Sequence, residues 1–211
     1  MIPFQPEPAS PESASNTIRV EQMFNLPNVL TLGRILMIPV YVGFFSTPTA
    51  SRSIAAAAVF GLAAFTDLLD GYIARQRAQV TRIGRLFDPI ADKCLVIAGL
   101  VLLVQFQRVA AWLAIMLIVR ELAMTGVRAA AASQGLVIAA GTLGKYKVVC
   151  QMTAIILLTL EGAFPLSIFP IITLHQAGTV ALYAALAFSL ISAGQYMRDA
   201  WNELFKQGGT A

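Results

Sequence analysis

Two aspartates in the stretch TDLLDGYIAR are spaced to act together on one face of a helix. Each helical residue turns by about 100°. Asp67, Asp70, Gly71 and Ala74 therefore fall on the same side. That side presents two carboxylates beside two small residues, which leave room for a bulky ligand.

The next segment repeats the arrangement with one glycine and two aspartates. On a helix, Gly84, Asp88 and Asp92 fall within about 80° of one another. The short polar stretch Gln76–Ile83 joins the two segments, so both faces are expected at the same membrane surface and can face each other. Pro89 leaves two possibilities: a kinked helix, or a helix that starts at Pro89 with Asp88 as its cap. The second would weaken the argument for a shared face.

Four ionised carboxylates near a low-dielectric region repel one another unless something neutralises them. Arg75, Arg85 and Lys93 are close in sequence, but a divalent cation is the better answer. Oxygen donors without His or Cys suit Mg²⁺ or Mn²⁺ rather than zinc. The expected metal ligands are Asp67, Asp70, Asp88 and Asp92.

The composition predicts that a membrane holds these segments. Of the 211 residues, 57% are hydrophobic and 12% are charged, against about 25% charged in soluble domains. A bilayer core needs about 20 helical residues per span. Apolar runs predict an all-α protein with six spans, the fifth extending back to Thr142: Val29–Phe45, Ile54–Ala74, Gly84–Phe106, Val109–Ala132, Tyr146–Leu160 and Thr179–Met197.

Outside these spans the sequence predicts little further structure. Residues 1–23 are rich in Pro, Ser and Glu and lack signal-peptide features, so we expect a flexible polar tail before a membrane domain at residues 24–211. The run FPLSIFP is bounded by prolines and predicts an interfacial loop. Cys94 and Cys150 fall within spans and are expected to be packing residues rather than a disulfide or a zinc site.

Orientation follows from the distribution of Lys and Arg. With a cytoplasmic N-terminus, ten basic residues fall inside and two, Arg52 and Arg108, fall outside. Both termini are therefore expected in the cytoplasm. The net charge of +4 suits an anionic inner leaflet, and no nucleic-acid partner is expected. The ten inside residues are Arg19, Arg75, Arg77, Arg82, Arg85, Arg128, Lys145, Lys147, Arg198 and Lys206.

The aspartate pattern resembles a family signature. Written out, it is Asp67-x2-Asp70-Gly71-x2-Ala74-Arg75-x8-Gly84-x3-Asp88-x3-Asp92. It resembles the signature of the CDP-alcohol phosphotransferases at every fixed position. That resemblance implies a six-helix membrane enzyme, a homodimer, and a site for two Mg²⁺ or Mn²⁺ ions.

Other segments resemble the members of this family that use glycerol 3-phosphate. These are FNLPNVLTLGRILMIP, FDPIADK, VREL with Arg128, and GKYK. The implied reaction transfers the phosphatidyl group of CDP-diacylglycerol to glycerol 3-phosphate and releases CMP. It would take place at the cytoplasmic face of a bacterial inner membrane, among membrane lipids.

The resemblance also implies roles for single residues. Because the one histidine, His175, is expected near the outer surface, a general base must come from elsewhere, and Asp92 is the expected one. Asn28, Thr31 and Arg34 lie on the first span, which in the resemblance helps to close the nucleotide site, although helix capping explains Asn28 equally well. The expected residues of the cytidine diphosphate site are Gly71, Ala74, Arg75, Gly84, Asn28 and Thr31.

Three cations are candidates for the acceptor phosphate. Arg120 interrupts an apolar span and needs a partner, for which a substrate phosphate would serve. Arg128 and Lys145 are expected near the same cytoplasmic face and would complete an anion pocket. The alternatives are an ion pair of Arg120 with Glu121 or another helix, and a purely topological role for Arg128 and Lys145. Lys147 fits either class.

Two other functions compete with this interpretation. A sister enzyme would use inositol phosphate, serine or phosphatidylglycerol as acceptor, and a phosphate-bearing acceptor needs cations whereas serine does not. A divalent-cation transporter would place acidic residues near the membrane midplane on several helices. Here the aspartates cluster at one surface on two adjacent spans, which favours an enzyme.

Overall fold

The computed structural model describes the backbone of residues 26–77, 82–133, 142–161, 163, 167–169 and 172–208. Side chains are described for residues 32–66, 93–133, 142–161, 163 and 173–203. Within these ranges there are six helices and one two-stranded antiparallel ladder. The elements are α1 (Leu26–Phe45), α2 (Ala50–Arg77), α3 (Arg82–Gln105), α4 (Ala111–Ser133), α5 (Thr142–Leu160), β1 (Ser167–Phe169), β2 (Ile172–Thr173) and α6 (Leu174–Gly208).

Each helix overlaps one expected span, and α5 begins at Thr142 as expected. Several helices are longer than the apolar runs that predicted them, because helical hydrogen bonding continues into polar residues. Helix α6 shows this most clearly, since it extends past the expected end at Met197 to Gly208. The FPLSIFP run contains β1 and no helix in its described part, in agreement with the expected connection. The tail at residues 1–23 lies outside the described residues.

Aromatic rings form part of the core. Tyr41 stacks on Phe45 with ring centroids 5.8 Å apart and tilts against Phe60 at 5.4 Å. Phe45 meets Phe106 edge-on at 5.3 Å. The Tyr41 hydroxyl also lies 3.2 Å from Thr159 Oγ1. Aromatic pairs of this kind add to the stabilisation from burial, so this cluster ties α1, α2, α3 and α5 together.

Helices α5 and α6 are closely packed at Gly178. A Cβ atom at that position would lie 2.6 Å from Leu158 Cγ, a separation that real Cβ atoms do not reach. Leu158 is fully buried and has little room to move. Small residues at helix crossings let backbones approach in membrane bundles, and Gly178 has this role here.

Arg108 lies at the C-terminal end of α5. Its Nη1 donates hydrogen bonds to the carbonyl oxygens of Leu158 at 2.8 Å and Thr159 at 3.0 Å. Its guanidinium lies over the Phe45 ring, 5.2 Å from the centroid. Burial lowers the pKa of Arg108, while the charge of Glu161 opposes that shift. The side chain therefore acts as a cap for the last carbonyls of α5.

The described helices carry an apolar outer surface. Thr142–Leu160 and Leu174–Glu203 are each long and apolar enough to cross a membrane, and shorter apolar segments occur in α1, α2 and α3. Helix α4 is continuous, but its apolar sequence is interrupted by the charged residues Arg120, Glu121 and Arg128. Large apolar side chains face outward on α4, namely Trp112, Ile115, Met116, Val119 and Leu122. Such a surface indicates association with a membrane.

Candidate active site

The four aspartates lie on two consecutive, uninterrupted helices. Asp67 and Asp70 belong to α2, and Asp88 and Asp92 belong to α3. Helix α3 begins at Arg82, so Asp88 lies inside the helix and is not its cap. Pro89 therefore does not start the helix, and the helical spacing that puts Asp88 and Asp92 on one face applies.

The ends of α2 and α3 must lie close together. Only four residues separate Arg77 from Arg82, and a chain of that length spans at most about 18 Å. Both carboxylate-bearing segments are thus at the same end of the bundle. The side chains expected to bind metal or cytidine diphosphate lie outside the described residues: Asp67, Asp70, Gly71, Ala74, Arg75, Gly84, Asp88, Asp92, Asn28 and Thr31.

A cleft begins directly after this region. It holds about 220 Å³ and starts at Lys93, the residue that follows Asp92. Apolar side chains form most of its walls, and polar side chains gather at one part of it. The lining residues are Lys93, Val96, Ile97 and Leu100 of α3, Leu117, Ile118 and Glu121 of α4, and Lys147, Val148, Gln151 and Met152 of α5.

The polar part of the cleft is organised by Glu121. Lys147 Nζ donates a hydrogen bond to Glu121 Oε2 and forms an ion pair with it. Arg120 Nη1 lies 3.6 Å from the same oxygen. The Lys147 side chain is 6% exposed and that of Glu121 is 27% exposed. A buried ammonium is costly without a partner, and Glu121 provides that partner from the facing helix.

The three cations expected at the acceptor phosphate have different surroundings. Arg120 is largely buried and beside Glu121, as the ion-pair alternative had proposed. Arg128 lies over the Tyr196 ring at 5.5 Å, close enough to Arg120 and Lys147 for the positive charges to repel. Lys145 is exposed on α5. The assignment of these three residues to a substrate phosphate stays a prediction.

The sequence analysis did not decide whether Lys147 belongs to the anion pocket or has only a topological role, although its spacing from Lys145 could have helped. Lys145 and Lys147 are two positions apart, which on a helix places them about 200° apart. They therefore cannot both face the same pocket. The structure places Lys147 in the cleft and Lys145 on the exposed side.

Two other expected residues are now located. Arg34 is buried on α1. His175 lies at the start of α6, is 45% exposed in its side chain, and its Nδ1 is 3.0 Å from Glu161 Oε2. This pair links α6 to the far end of α5, away from Lys147. That position agrees with a surface histidine rather than a general base.

Comparison with known proteins supplies a family for this arrangement. The model of the CDP-alcohol phosphatidyltransferase family matches residues 24–191. The matched region includes the four aspartates and all the residues that line the cleft.

Similar proteins have related names. A protein of Bacillus subtilis (strain 168) named CDP-diacylglycerol–glycerol-3-phosphate 3-phosphatidyltransferase is 41% identical over 86% of this chain and 98% of its own length. A protein of the same name from Pseudomonas fluorescens is 37% identical, over 87% of this chain and 94% of its own. A protein of Oryza sativa subsp. japonica named cardiolipin synthase (CMP-forming) is 36% identical over 88% of this chain and 60% of its own.

Proposed function

The chain belongs to the CDP-alcohol phosphatidyltransferase family, and from that premise we propose that it makes phosphatidylglycerophosphate. It transfers the phosphatidyl group of CDP-diacylglycerol to glycerol 3-phosphate and releases CMP, a step of phospholipid biosynthesis. Family membership also favours an enzyme over a divalent-cation transporter.

One observation carries this proposal beyond the names of relatives. The aspartate signature lies on two continuous helices joined by a short connection, at the end of the bundle where a cleft lined by Lys93 and Lys147 begins. Transfer at phosphorus depends mainly on positioning and charge neutralisation. The arrangement supplies anionic ligands for a metal and, next to them, cations for an anionic substrate.

The chemistry of the donor set fits Mg²⁺ or Mn²⁺, and the family resemblance implies two ions. Asp67, Asp70, Asp88 and Asp92 provide only hard oxygen donors, at helical spacings that keep each pair on one face. When bound, such ions neutralise the pyrophosphate and stabilise the attacking and leaving oxygens. Gly71, Ala74, Arg75 and Gly84 are proposed to line the cytidine diphosphate site, since small residues at the helical spacing of the aspartates allow a bulky ligand.

Asp92 is proposed to take the proton of the acceptor hydroxyl. The hydroxyl oxygen of glycerol 3-phosphate forms a bond to the phosphorus that carries diacylglycerol. The bond from that phosphorus to the CMP oxygen breaks, and CMP leaves with the electron pair. Lys93 follows Asp92 directly and lines the cleft, so the proposed base lies next to the cationic region.

Arg120 and Arg128 are proposed to attract the phosphate of the acceptor, whereas Lys145 lies on the exposed side of α5 and outside the cleft. Arg120 lies beside Glu121 of the cleft wall, and Arg128 lies about two turns further along α4. A phosphomonoester carries a charge of about −1.5 to −2 at pH 7, and clustered cations favour such a ligand over the zwitterion serine.

The helices are proposed to span a bacterial cytoplasmic membrane six times. Two helical segments have the length and apolarity of a span within the described residues, and four further helices overlap expected spans. The bias in basic residues places both termini and the aspartates at the cytoplasmic face, where glycerol 3-phosphate is available. A homodimer is proposed from the family resemblance.

A panel of acceptors tests the function. Purified protein with CDP-diacylglycerol and Mg²⁺ is offered glycerol 3-phosphate, inositol phosphate, serine or phosphatidylglycerol, and CMP release is measured. We expect release with glycerol 3-phosphate. The phosphatidylglycerol arm is included because of the rice relative's name.

The lipid product identifies the reaction independently of CMP. With glycerol 3-phosphate it carries two phosphates, and with phosphatidylglycerol it carries four acyl chains. If CMP were released only in the arm with phosphatidylglycerol, phosphatidylglycerol would be the acceptor in place of glycerol 3-phosphate. No release with any acceptor, from folded protein, would refute the transferase function.

A further inference from the structure

The contact between Glu121 and Lys147 crosses the cleft. Helix α4 packs mainly on α3 and α6, whereas Lys147 belongs to α5. Both partners line the cleft, and the Glu121 side chain keeps 27% exposure. An ion pair that only joined two helices would be expected within their packed interface. This pair instead lies on the wall of a cavity that starts next to Asp92.

The charges around Glu121 are unbalanced. Lys147, Arg120 and Lys93 all act on its carboxylate electrostatically. Three cations around one carboxylate leave an excess of two positive charges among these side chains. In a low-dielectric region such an excess is costly, and a phosphomonoester at pH 7 carries a charge of about −1.5 to −2 that would balance it.

A carboxylate next to a proposed anion site is unexpected, because it would repel the anion, so the presence of Glu121 requires an explanation. Glu121 does not attract a phosphate, but without it Lys147, Arg120 and Arg128 would repel one another, since each pair of them lies within electrostatic range. The carboxylate therefore stabilises the cations at close range before a substrate arrives. Preorganised charges of this kind bind and position an anion without reorganisation.

We propose that Glu121 is a positioning residue for the acceptor. It holds Lys147 across the cleft and Arg120 beside it, so that both cations are in place for the phosphate of glycerol 3-phosphate. Glu121 itself touches neither substrate. This inference rests on the proposed function, because it assigns the cationic part of the cleft to that acceptor.

The test compares Glu121→Gln with a matched variant at the other end of α5. Glu121→Gln keeps the size of the side chain and removes its charge. We expect the KM for glycerol 3-phosphate to rise by about tenfold or more, because small displacements of positioning groups have large effects. The KM for CDP-diacylglycerol should change little. Glu161→Gln removes a carboxylate that pairs with His175 and should leave both KM values unchanged.

A charge exchange separates positioning from stability. The double variant Glu121→Lys with Lys147→Glu restores an ion pair between α4 and α5 but moves the cation to the other helix. We expect its thermal unfolding midpoint to recover relative to either single variant while its KM for glycerol 3-phosphate stays raised. Glu121→Asp, which keeps the charge, should give an intermediate KM and serves if Glu121→Gln does not fold.

The outcomes separate this inference from the proposed function. Wild-type protein that releases no CMP with glycerol 3-phosphate refutes the proposed function. Wild-type activity together with an unchanged or lowered acceptor KM in folded Glu121→Gln overturns only the positioning role. Recovery of both stability and acceptor KM in the exchanged pair would show that the contact is structural.

Discussion

At the scale of single residues, the proposed metal site depends on two properties of the aspartates: their helical spacing and their negative charge. An amide cannot replace an anionic ligand of a divalent cation, although it has nearly the same shape. We therefore expect Asp70→Asn to fold and to lose turnover. CMP release and thermal unfolding are measured on the same preparation.

Metal dependence provides the control for that variant. Chelation should abolish wild-type activity, and Mg²⁺ or Mn²⁺ should restore it. Full activity after exhaustive removal of metal would contradict the assignment of Asp67, Asp70, Asp88 and Asp92 as ligands.

Arg120 allows a second test at this scale. If it binds the acceptor phosphate, Arg120→Ala should raise the KM for glycerol 3-phosphate by roughly 10- to 150-fold, as expected for one charge-assisted contact worth about 1.5–3 kcal/mol. The KM for CDP-diacylglycerol should change much less. An unchanged acceptor KM with lower thermal stability would instead assign Arg120 to its contact with Glu121, 3.6 Å away.

Residue types and spacing predicted the aspartate faces but not the pairing within the cleft. The faces depend on separations of three to eight residues along one helix, which the helical repeat fixes. Glu121 and Lys147 are 26 residues apart, and their contact depends on how α4 and α5 are placed across the bundle. A sequence pattern within one helix contains no information about that placement.

At the scale of the elements, the crossing of α5 and α6 is controlled by Gly178. Gly178→Ala should lower the free energy of unfolding by about 1–3 kcal/mol, the usual range for overpacking, because the added methyl would meet Leu158. Gly194 lies on the same helix and has no atom within 4 Å of an added Cβ, so it offers a matched control.

Gly194→Ala should be neutral, or stabilising by up to about 1 kcal/mol through helix propensity. Thermal or denaturant unfolding in detergent measures both variants. Equal effects at the two positions would show that the close approach at Gly178 is unimportant for stability.

The existence of the helices was predictable, whereas their ends were less so. Apolar runs located each of the six helices in the described part of the chain, because the hydrophobic run is a property of the local sequence. The continuation of α6 beyond Met197 could not be predicted from an apolar run, because the residues there are largely polar. Whether Asp88 lies inside α3 or caps a helix that starts at Pro89 could be decided only from the backbone of α3.

At the scale of the whole molecule, the bias in basic residues makes a prediction about topology. A reporter fused after Ala211 should be cytoplasmic, because ten of the twelve flanking Lys and Arg residues fall on that side. A reporter inserted between α3 and α4, near Gln107, should be extracytoplasmic. A C-terminal fusion on the outer side would contradict the prediction that both termini are cytoplasmic, and with six spans it would place the aspartates away from cytoplasmic glycerol 3-phosphate.

The bridge from Glu121 to Lys147 also bears on how the chain is made. During synthesis α4, which carries Arg120, Glu121 and Arg128, reaches the insertion machinery before α5, so Glu121 does not yet have Lys147 as its partner. Each such charge near the centre of a span costs about 2.5–3.5 kcal/mol on insertion scales. If α4 spans the membrane as proposed, we expect its stable insertion to depend on the arrival of α5 with Lys147, so that insertion of α4 and formation of the Glu121–Lys147 contact would coincide in biogenesis.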